Sequence, residues 1–354
     1  MNQSEILRWL RTEDPARLNE LWARADEVRR RNVGDDVHLR GLIELSNYCA
    51  RSCGYCGLRR ENRALGRYRM TAGEVLDCAR QAVDYGYGTV VLQSGEDYGI
   101  TREWMADLIG AIKAETDLAV TLSLGERADE ELRAWKDAGA DRYLLRFETS
   151  DRALYDFIHP PVGEKRSDRF ALLRRMREIG YEIGSGVMVG IPGQTYQTLA
   201  QDLLAFAELD LDMIGVGPYI AHESTPLGRR EAELRAAAGE RQTPNTEAMT
   251  YRVMALTRLI CPLANIPSTS ALATLNLAEG RELGLLRGAN VVMPNLTPPR
   301  YRALYEIYPA KACIHETAAQ CHGCMKRRIL SIDRNVGVGR GDSPRFRGSR
   351  PTMK

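Results

Sequence analysis

Val37-His38-Leu39-Arg40-Gly41-Leu42-Ile43-Glu44-Leu45-Ser46 runs straight into Asn47-Tyr48-Cys49-Ala50-Arg51-Ser52-Cys53-Gly54-Tyr55-Cys56-Gly57. The first ten residues read as a strand, and the cysteines occupy the loop that follows it. Their spacing is C-x3-C-x2-C. Three thiolates this close can grip three corners of a cubane iron–sulfur cluster and leave the fourth iron open, whereas a ferredoxin closes every corner with cysteine. An open iron is a place where a small molecule can bind and react. A zinc site is the next reading. It wants four ligands, and no His or Cys lies between Cys56 and Cys78. A disulfide framework would need an exported chain, which nothing here indicates. Chance clustering among eight cysteines is the blandest account.

Outward from this strand, apolar strand-like runs alternate with helical stretches. The strand candidates are 37–46, 89–93, 119–124, 142–147, 183–189, 213–216, 265–267 and 290–293. The helices between them are expected at 72–85, 102–115, 130–138, 167–179, 198–209, 246–260 and 280–286. Such alternation implies a parallel sheet, and eight units suggest a closed (βα)8 barrel of the TIM type; an open doubly wound sheet is the alternative. The segment at 265–267 is the weakest strand, being short and containing proline. Residues 1–36 have helical periodicity, broken at Asp14-Pro15. The expected organisation is a helical extension (1–36), the barrel (37–310) and a C-terminal segment (311–354) whose Gly- and Arg-rich tail from Asp333 is loosely ordered.

The 354 residues are 44% hydrophobic, enough for a large core. Forty-nine basic and 47 acidic residues give a net charge of +2, which supports neither nucleic acid nor an anionic membrane as the main partner. No apolar run approaches the about 18 residues that span a bilayer. The N-terminus does not have the pattern of a signal peptide. A cytoplasmic location is expected, where thiols stay reduced.

In a barrel of this type the chemistry sits at the carboxyl ends of the strands. There lie the cysteine loop, Gln93-Ser94-Gly95-Glu96-Asp97, Ser123-Leu124-Gly125-Glu126, Arg146-Phe147-Glu148-Thr149, Met188–Gly193 and Gly215–Pro218. Any one of these could be ordinary turn chemistry. Together on one face they point to a site.

The cysteine spacing, with aromatic Tyr55 before the last cysteine, resembles the radical S-adenosylmethionine (SAM) superfamily. Longer runs are similar to the HydE family of FeFe-hydrogenase maturases within it. They include Arg59-Arg60-Glu61-Asn62, Val91–Asp97, Val120–Glu126, Tyr143-Leu144-Leu145-Arg146, Pro192-Gly193-Gln194-Thr195, Thr225-Pro226-Leu227 and Asn290–Asn295. The likeness extends from about Val37 to Cys324, and methylornithine synthase is a close relative. The resemblance implies a complete barrel enclosing a long cavity, a 4Fe–4S cluster on Cys49, Cys53 and Cys56, and SAM at its open iron. It implies SAM contacts from Tyr55, Ser94, Glu96, Arg146, Glu148, Arg169 and Met188. Serine replaces the first glycine of the superfamily's Gly-Gly-Glu strand end at Ser94. A guanidinium suits the SAM carboxylate in fork geometry. Gln93, Thr121, Met213, Thr269, Ser270, Tyr305 and Tyr308 would line the cavity. Taken alone, these residues fit duller roles: core packing for Met213, one helical face for the tyrosines, a helix cap for Thr269-Ser270.

The implied chemistry is reductive cleavage of SAM to a 5′-deoxyadenosyl radical acting on a cysteine-bound iron carbonyl cyanide precursor. The implied partners are an electron donor such as ferredoxin or flavodoxin and other hydrogenase maturation proteins. Phe147 stands where the family is expected to carry histidine. A second group, Cys313, Cys321 and Cys324, would hold an auxiliary 2Fe–2S or 4Fe–4S cluster or stay empty; His315 and His322 read as surface histidines. Cys78 and Cys261 read as buried hydrophobes. Two other functions remain open: a methylornithine-synthase-like mutase acting on a free amino acid, and a non-catalytic iron–sulfur carrier.

Overall fold

The computed structural model describes residues 1–163 and 166–347. Seven strands form one continuous parallel path: β1 (Asp36–Ser46), β2 (Thr89–Ser94), β3 (Ala119–Ser123), β4 (Arg142–Leu144), β5 (Glu182–Val189), β6 (Met213–Pro218) and β7 (Val291–Val292). Their order is β6-β5-β4-β3-β2-β1-β7, and β8 (Asn335–Val336) pairs separately with the start of β1. The helices α1 (Gln3–Arg11), α2 (Pro15–Val33), α3 (Ala72–Asp84), α4 (Arg102–Glu115) and α5 (Asp129–Asp137) come first in the chain. The short α6 (Arg152–Ile158) follows, then α7 (Arg169–Ile179) and α8 (Tyr196–Glu208). After β6 come α9 (Pro226–Arg229), α10 (Glu231–Ala238), α11 (Glu247–Ile260), α12 (Ser270–Leu275) and α13 (Gly280–Leu285), and beyond β7 lie α14 (Pro299–Arg302), α15 (Ala318–Leu330) and α16 (Pro344–Arg347).

The result is a curled parallel α/β sheet, and the regular strand expected at 265–267 is not formed. That segment joins the sheet only through isolated bridges, Met213 to Asn265 and Pro267 to Val291. Pro267 has no N–H to give the ladder. The N–H of Ile266 is taken by the side-chain oxygen of Asn290 at 2.9 Å, where a strand would use a carbonyl. β4 is likewise shorter than expected. The N–H of Phe147 donates to the Ser185 hydroxyl at 3.1 Å, interrupting the backbone ladder.

The N-terminal helices pack on α8 and α11. Ile6, Leu10, Leu21 and Ala25 enter the same hydrophobic core as the sheet. Asp14 caps α2 by accepting from Ala16 N–H at 2.9 Å, with Pro15 at the first helical position.

The tail is better ordered than its composition predicts as far as residue 347; residues 348–354 lie outside the described residues. Past β8 the chain crosses the amino-terminal mouth of the sheet. Arg40 donates to Gly341 O at 2.9 Å, Asn265 donates to the same oxygen at 3.1 Å, and Arg142 holds both Arg340 O and the Asp342 carboxylate. Buried arginine and carboxylate groups of the strands thus fix a segment whose glycines carry no packing of their own.

Candidate active site

Side chains that satisfy backbone groups hold the cysteine loop in place. Asn47, fully buried, donates to Gly66 O at 2.8 Å and Leu304 O at 2.7 Å, and its oxygen accepts from Tyr68 N–H. Arg67 spreads its guanidinium over the carbonyls of Asn47, Leu58, Arg59 and Asn62. Gly54 donates to Ile158 O at 2.7 Å at the end of α6, and Gly57 donates to Ile307 O at 3.0 Å. A Cβ on Gly95 would overlap Tyr48 O and lie 2.8 Å from Cys49 Cβ, so only glycine lets β2 end against this loop.

Cys49 and Cys56 face a cavity of about 340 Å³ enclosed by the sheet; Cys53 is buried behind them. Burial raises all three thiols, Cys56 to about 12, and around Cys53 the neighbouring thiols add to the effect. Buried thiols of this kind ionise when a cation takes the proton's place. Among the described residues, no group of three or more His, Cys, Asp or Glu is arranged to hold a single metal ion. A cubane takes its thiolates at separate corners, and the loop offers three with room beside them.

The wall next to the thiols carries unmet polar demand. Glu148 sits at φ 61, a left-handed conformation uncommon outside glycine. Its carboxylate is buried, with its pKa raised by desolvation, and lies 3.1 Å from Arg146 without hydrogen-bond alignment at Oε2. Arg146 Nε is also unpartnered, while its Nη2 donates to Val187 O. A carboxylate and a guanidinium that pair with each other yet keep atoms without a hydrogen bond suit the ammonium and carboxylate of an amino-acid ligand. These residues fit a cluster-bound SAM.

Tyr55, Ser94 and Met188 line the same cavity, as do Gln93, Thr121, Met213, Thr269, Ser270, Tyr305 and Tyr308. Glu96 and Arg169 do not. Glu96 is satisfied by Arg51 at 2.7 Å, Tyr98 OH at 2.7 Å and Glu126 N–H at 3.0 Å. Arg169 pairs with Glu126 at 3.2 Å and donates to Arg146 O, while its Nη2 lies 2.6 Å from Nε2 of His159, which burial keeps neutral. The two form a buried ionic layer beneath the cysteine loop. Phe147 is buried with its ring tilted against Phe170 and Phe206, so the position expected to be histidine does not line the cavity.

The deep end of the cavity holds groups that the sequence reading passed over. Lys311 forms an ion pair with Glu44, whose other oxygen accepts from Asn295 at 2.9 Å. Arg40 is fully desolvated, its pKa pulled down to about 9 by burial and by Arg142, and its Nε has no partner. Arg40, Leu42 and Glu44 all line the cavity. They alternate along β1, and that period of two was the available signal.

Cys313, Cys321 and Cys324 come together elsewhere, around the start of α15. Cys313, at φ 63, is hydrogen-bonded to Cys321, which with Arg281 favours its thiolate. Cys324 accepts from Arg328 at 3.4 Å. His322 lies 3.0 Å from Tyr87 OH and stacks on Tyr85. Cys78 and Cys261 are buried in the helical shell.

Among the described residues no helix is long and apolar enough to cross a membrane. The radical SAM superfamily profile matches residues 43–206. The chain is 45% identical to the [FeFe] hydrogenase maturase subunit HydE of Thermotoga maritima, over 94% of this chain and 91% of that protein. Its fold matches the crystal structure of methylornithine synthase (PylB) with a TM-score of 0.81 at 23% identity, covering 99% of this chain and 96% of the other. It matches the FeFe-hydrogenase maturase HydG of Carboxydothermus hydrogenoformans with a TM-score of 0.75 at 18% identity, covering 94% and 75%. The chain belongs to the radical SAM superfamily and, within it, to the HydE family of [FeFe] hydrogenase maturases.

Proposed function

We propose that the protein is a HydE-type maturase that cleaves SAM reductively at a site-differentiated 4Fe–4S cluster and acts on a small precursor of the hydrogenase diiron centre. When bound, cluster and SAM supply a 5′-deoxyadenosyl radical on addition of one electron. The chain's own part is placement. Cys49, Cys53 and Cys56 hold three irons. Glu148 and Arg146 take the amino-acid end of SAM, Tyr55, Ser94 and Met188 pack around it, and the sheet keeps water out. Glu96 and Arg169 act as positioning residues that hold Arg51 and the loop. The observation that carries this reading is the coincidence, at one cavity wall, of Cys49 and Cys56, with Cys53 behind them, and of Glu148 and Arg146 atoms that make no hydrogen bond.

At the other end, Arg40, Lys311, Tyr305, Tyr308, Thr269 and Ser270 offer cationic and hydroxyl groups. They suit an anionic, cysteine-bound iron carbonyl cyanide complex. The Glu44–Lys311 pair equally suits a free amino acid, which favours the mutase as the second reading. The sheet, joined through 265–267, acts as a closed barrel from 37 to 310, braced by 1–36. The segment from 311 carries the second cysteine group, which we assign to an auxiliary cluster. The electron donor is a ferredoxin or flavodoxin, other maturation proteins are partners, and the location is cytoplasmic. The test is anaerobic reconstitution, reduction with SAM and measurement of 5′-deoxyadenosine. Formation that requires Cys53 supports the reading, and none from wild-type protein refutes it.

A further inference from the structure

The charge on this chain is unevenly placed. Residues 47–70 contain six arginines and one acidic residue, Glu61, a net +5 in a chain whose total is +2. Three of the arginines serve the fold: Arg51 holds Glu96, Arg67 staples carbonyls and Arg69 pairs with Asp97. The others leave a surplus. Arg59 and Arg60 share the single carboxylate of Glu61, and Arg63 is exposed with no ion pair among the described residues.

This surplus lies on the outer side of the cysteine loop. The N–H of Arg60 donates to Arg51 O at 2.9 Å, and its guanidinium, 60% exposed, reaches Ser52 Oγ at 3.3 Å. That places it over the residue next to Cys53. Exposed aromatic side chains border the same loop. Tyr98, 58% exposed, donates to the Glu96 carboxylate that holds Arg51. Phe157, 48% exposed, precedes Ile158, whose carbonyl accepts from Gly54. Exposed aromatic rings and arginines that outnumber their carboxylate, all on or next to one loop, match the composition of protein-binding surfaces.

We propose that this outer face, centred on Arg60 and Arg63 and bordered by Tyr98 and Phe157, docks an acidic one-electron carrier protein. The inference rests on the function proposed above. Electron tunnelling falls steeply with distance, and exposed Arg60 touches Ser52, the residue before Cys53. The opposite mouth is crossed by the segment after β8, and the cavity is too small to admit a protein. The occupant follows from charge complementarity: opposite charge speeds encounter about 10- to 1,000-fold at low salt and is screened beyond about 8 Å at physiological salt. The carrier is oxidised by one electron, which the bound cluster accepts; no bond or proton is exchanged in that step.

The test uses reconstituted full-length protein with SAM, reduced either by a small acidic two-cluster ferredoxin or by methyl viologen radical cation. Replacing both arginines, Arg60→Glu with Arg63→Glu, is expected to lower the ferredoxin-driven rate of 5′-deoxyadenosine formation about ten-fold at low salt and to leave the viologen-driven rate within about two-fold. Calorimetric binding of oxidised ferredoxin without SAM should weaken by about the same factor, and added salt should close the gap. The milder pair Arg60→Gln with Arg63→Gln should lose about three-fold, which guards against a folding defect in the reversal variant. Unchanged ferredoxin-driven rate and binding overturn the proposal. So does a parallel loss with both reductants, since the arginines would then only shape the loop. Wild-type protein that yields no 5′-deoxyadenosine with viologen overturns the function as well as the docking face.

Discussion

The two cysteine groups use the same side chain in opposite settings. Cys49, Cys53 and Cys56 sit in a loop that leaves a strand end, stapled by Asn47 and Arg67, with burial raising every thiol. Cys313, Cys321 and Cys324 sit around a helix start, where Cys321 and Arg281 favour the Cys313 thiolate and Arg328 meets Cys324. Cys49 and Cys56 of the first group line the sheet's cavity with Glu148 and Arg146, which keep atoms without a hydrogen bond; no cysteine of the second group lines that cavity. Three thiols are enough to bind iron. The first group has a carboxylate and a guanidinium beside it on the cavity wall, where a second ligand would sit.

The largest effect that tests this contrast is Cys53→Ala. With one corner of the site gone, reconstituted protein should make 5′-deoxyadenosine at least about 100-fold more slowly by chromatography. Gly95→Ala comes next. Its added Cβ collides with Tyr48 O and Cys49, so iron at the first group and activity should fall about ten-fold while the second group keeps its iron. Glu148→Gln keeps the shape and removes the charge, and SAM affinity in equilibrium dialysis should weaken about ten-fold. The smallest effect on turnover belongs to Cys321→Ala, which should leave 5′-deoxyadenosine formation within about two-fold while lowering total iron. An equal loss from Cys321→Ala and Cys53→Ala would erase the distinction between the groups. In metal-free protein at neutral pH, iodoacetamide should label Cys313 first. Cys321 and Arg281 favour its thiolate, whereas burial raises Cys56 to about 12 and disfavours its ionisation at that pH.

Much of the parallel sheet was legible because period-two apolar runs and capped helices are local signals. The strand starting at Thr89, the helix at Arg102–Glu115 and the break at Asp14-Pro15 lie where the pattern put them. The regular strand expected at 265–267 was not formed, because Pro267 and the Asn290 side chain replace its ladder, a substitution visible only in three dimensions. Composition misjudged the tail up to residue 347, because its order comes from Arg40, Arg142 and Asn265 on distant strands. At the site, motif matching brought the thiols and most cavity residues together. It could not show that Glu96 and Arg169 turn away from the cavity, because their partners Arg51 and Glu126 arrive from other loops. The Glu44–Lys311 pair joins residues from opposite ends of the chain and gave no local sign.

The central claim is that the first group leaves one iron open to SAM. Electron paramagnetic resonance of reduced Cys321→Ala protein tests it with the second group disabled. The expected result is a 4Fe–4S signal that changes shape when SAM is added. A signal indifferent to SAM, or no cubane signal, would contradict it.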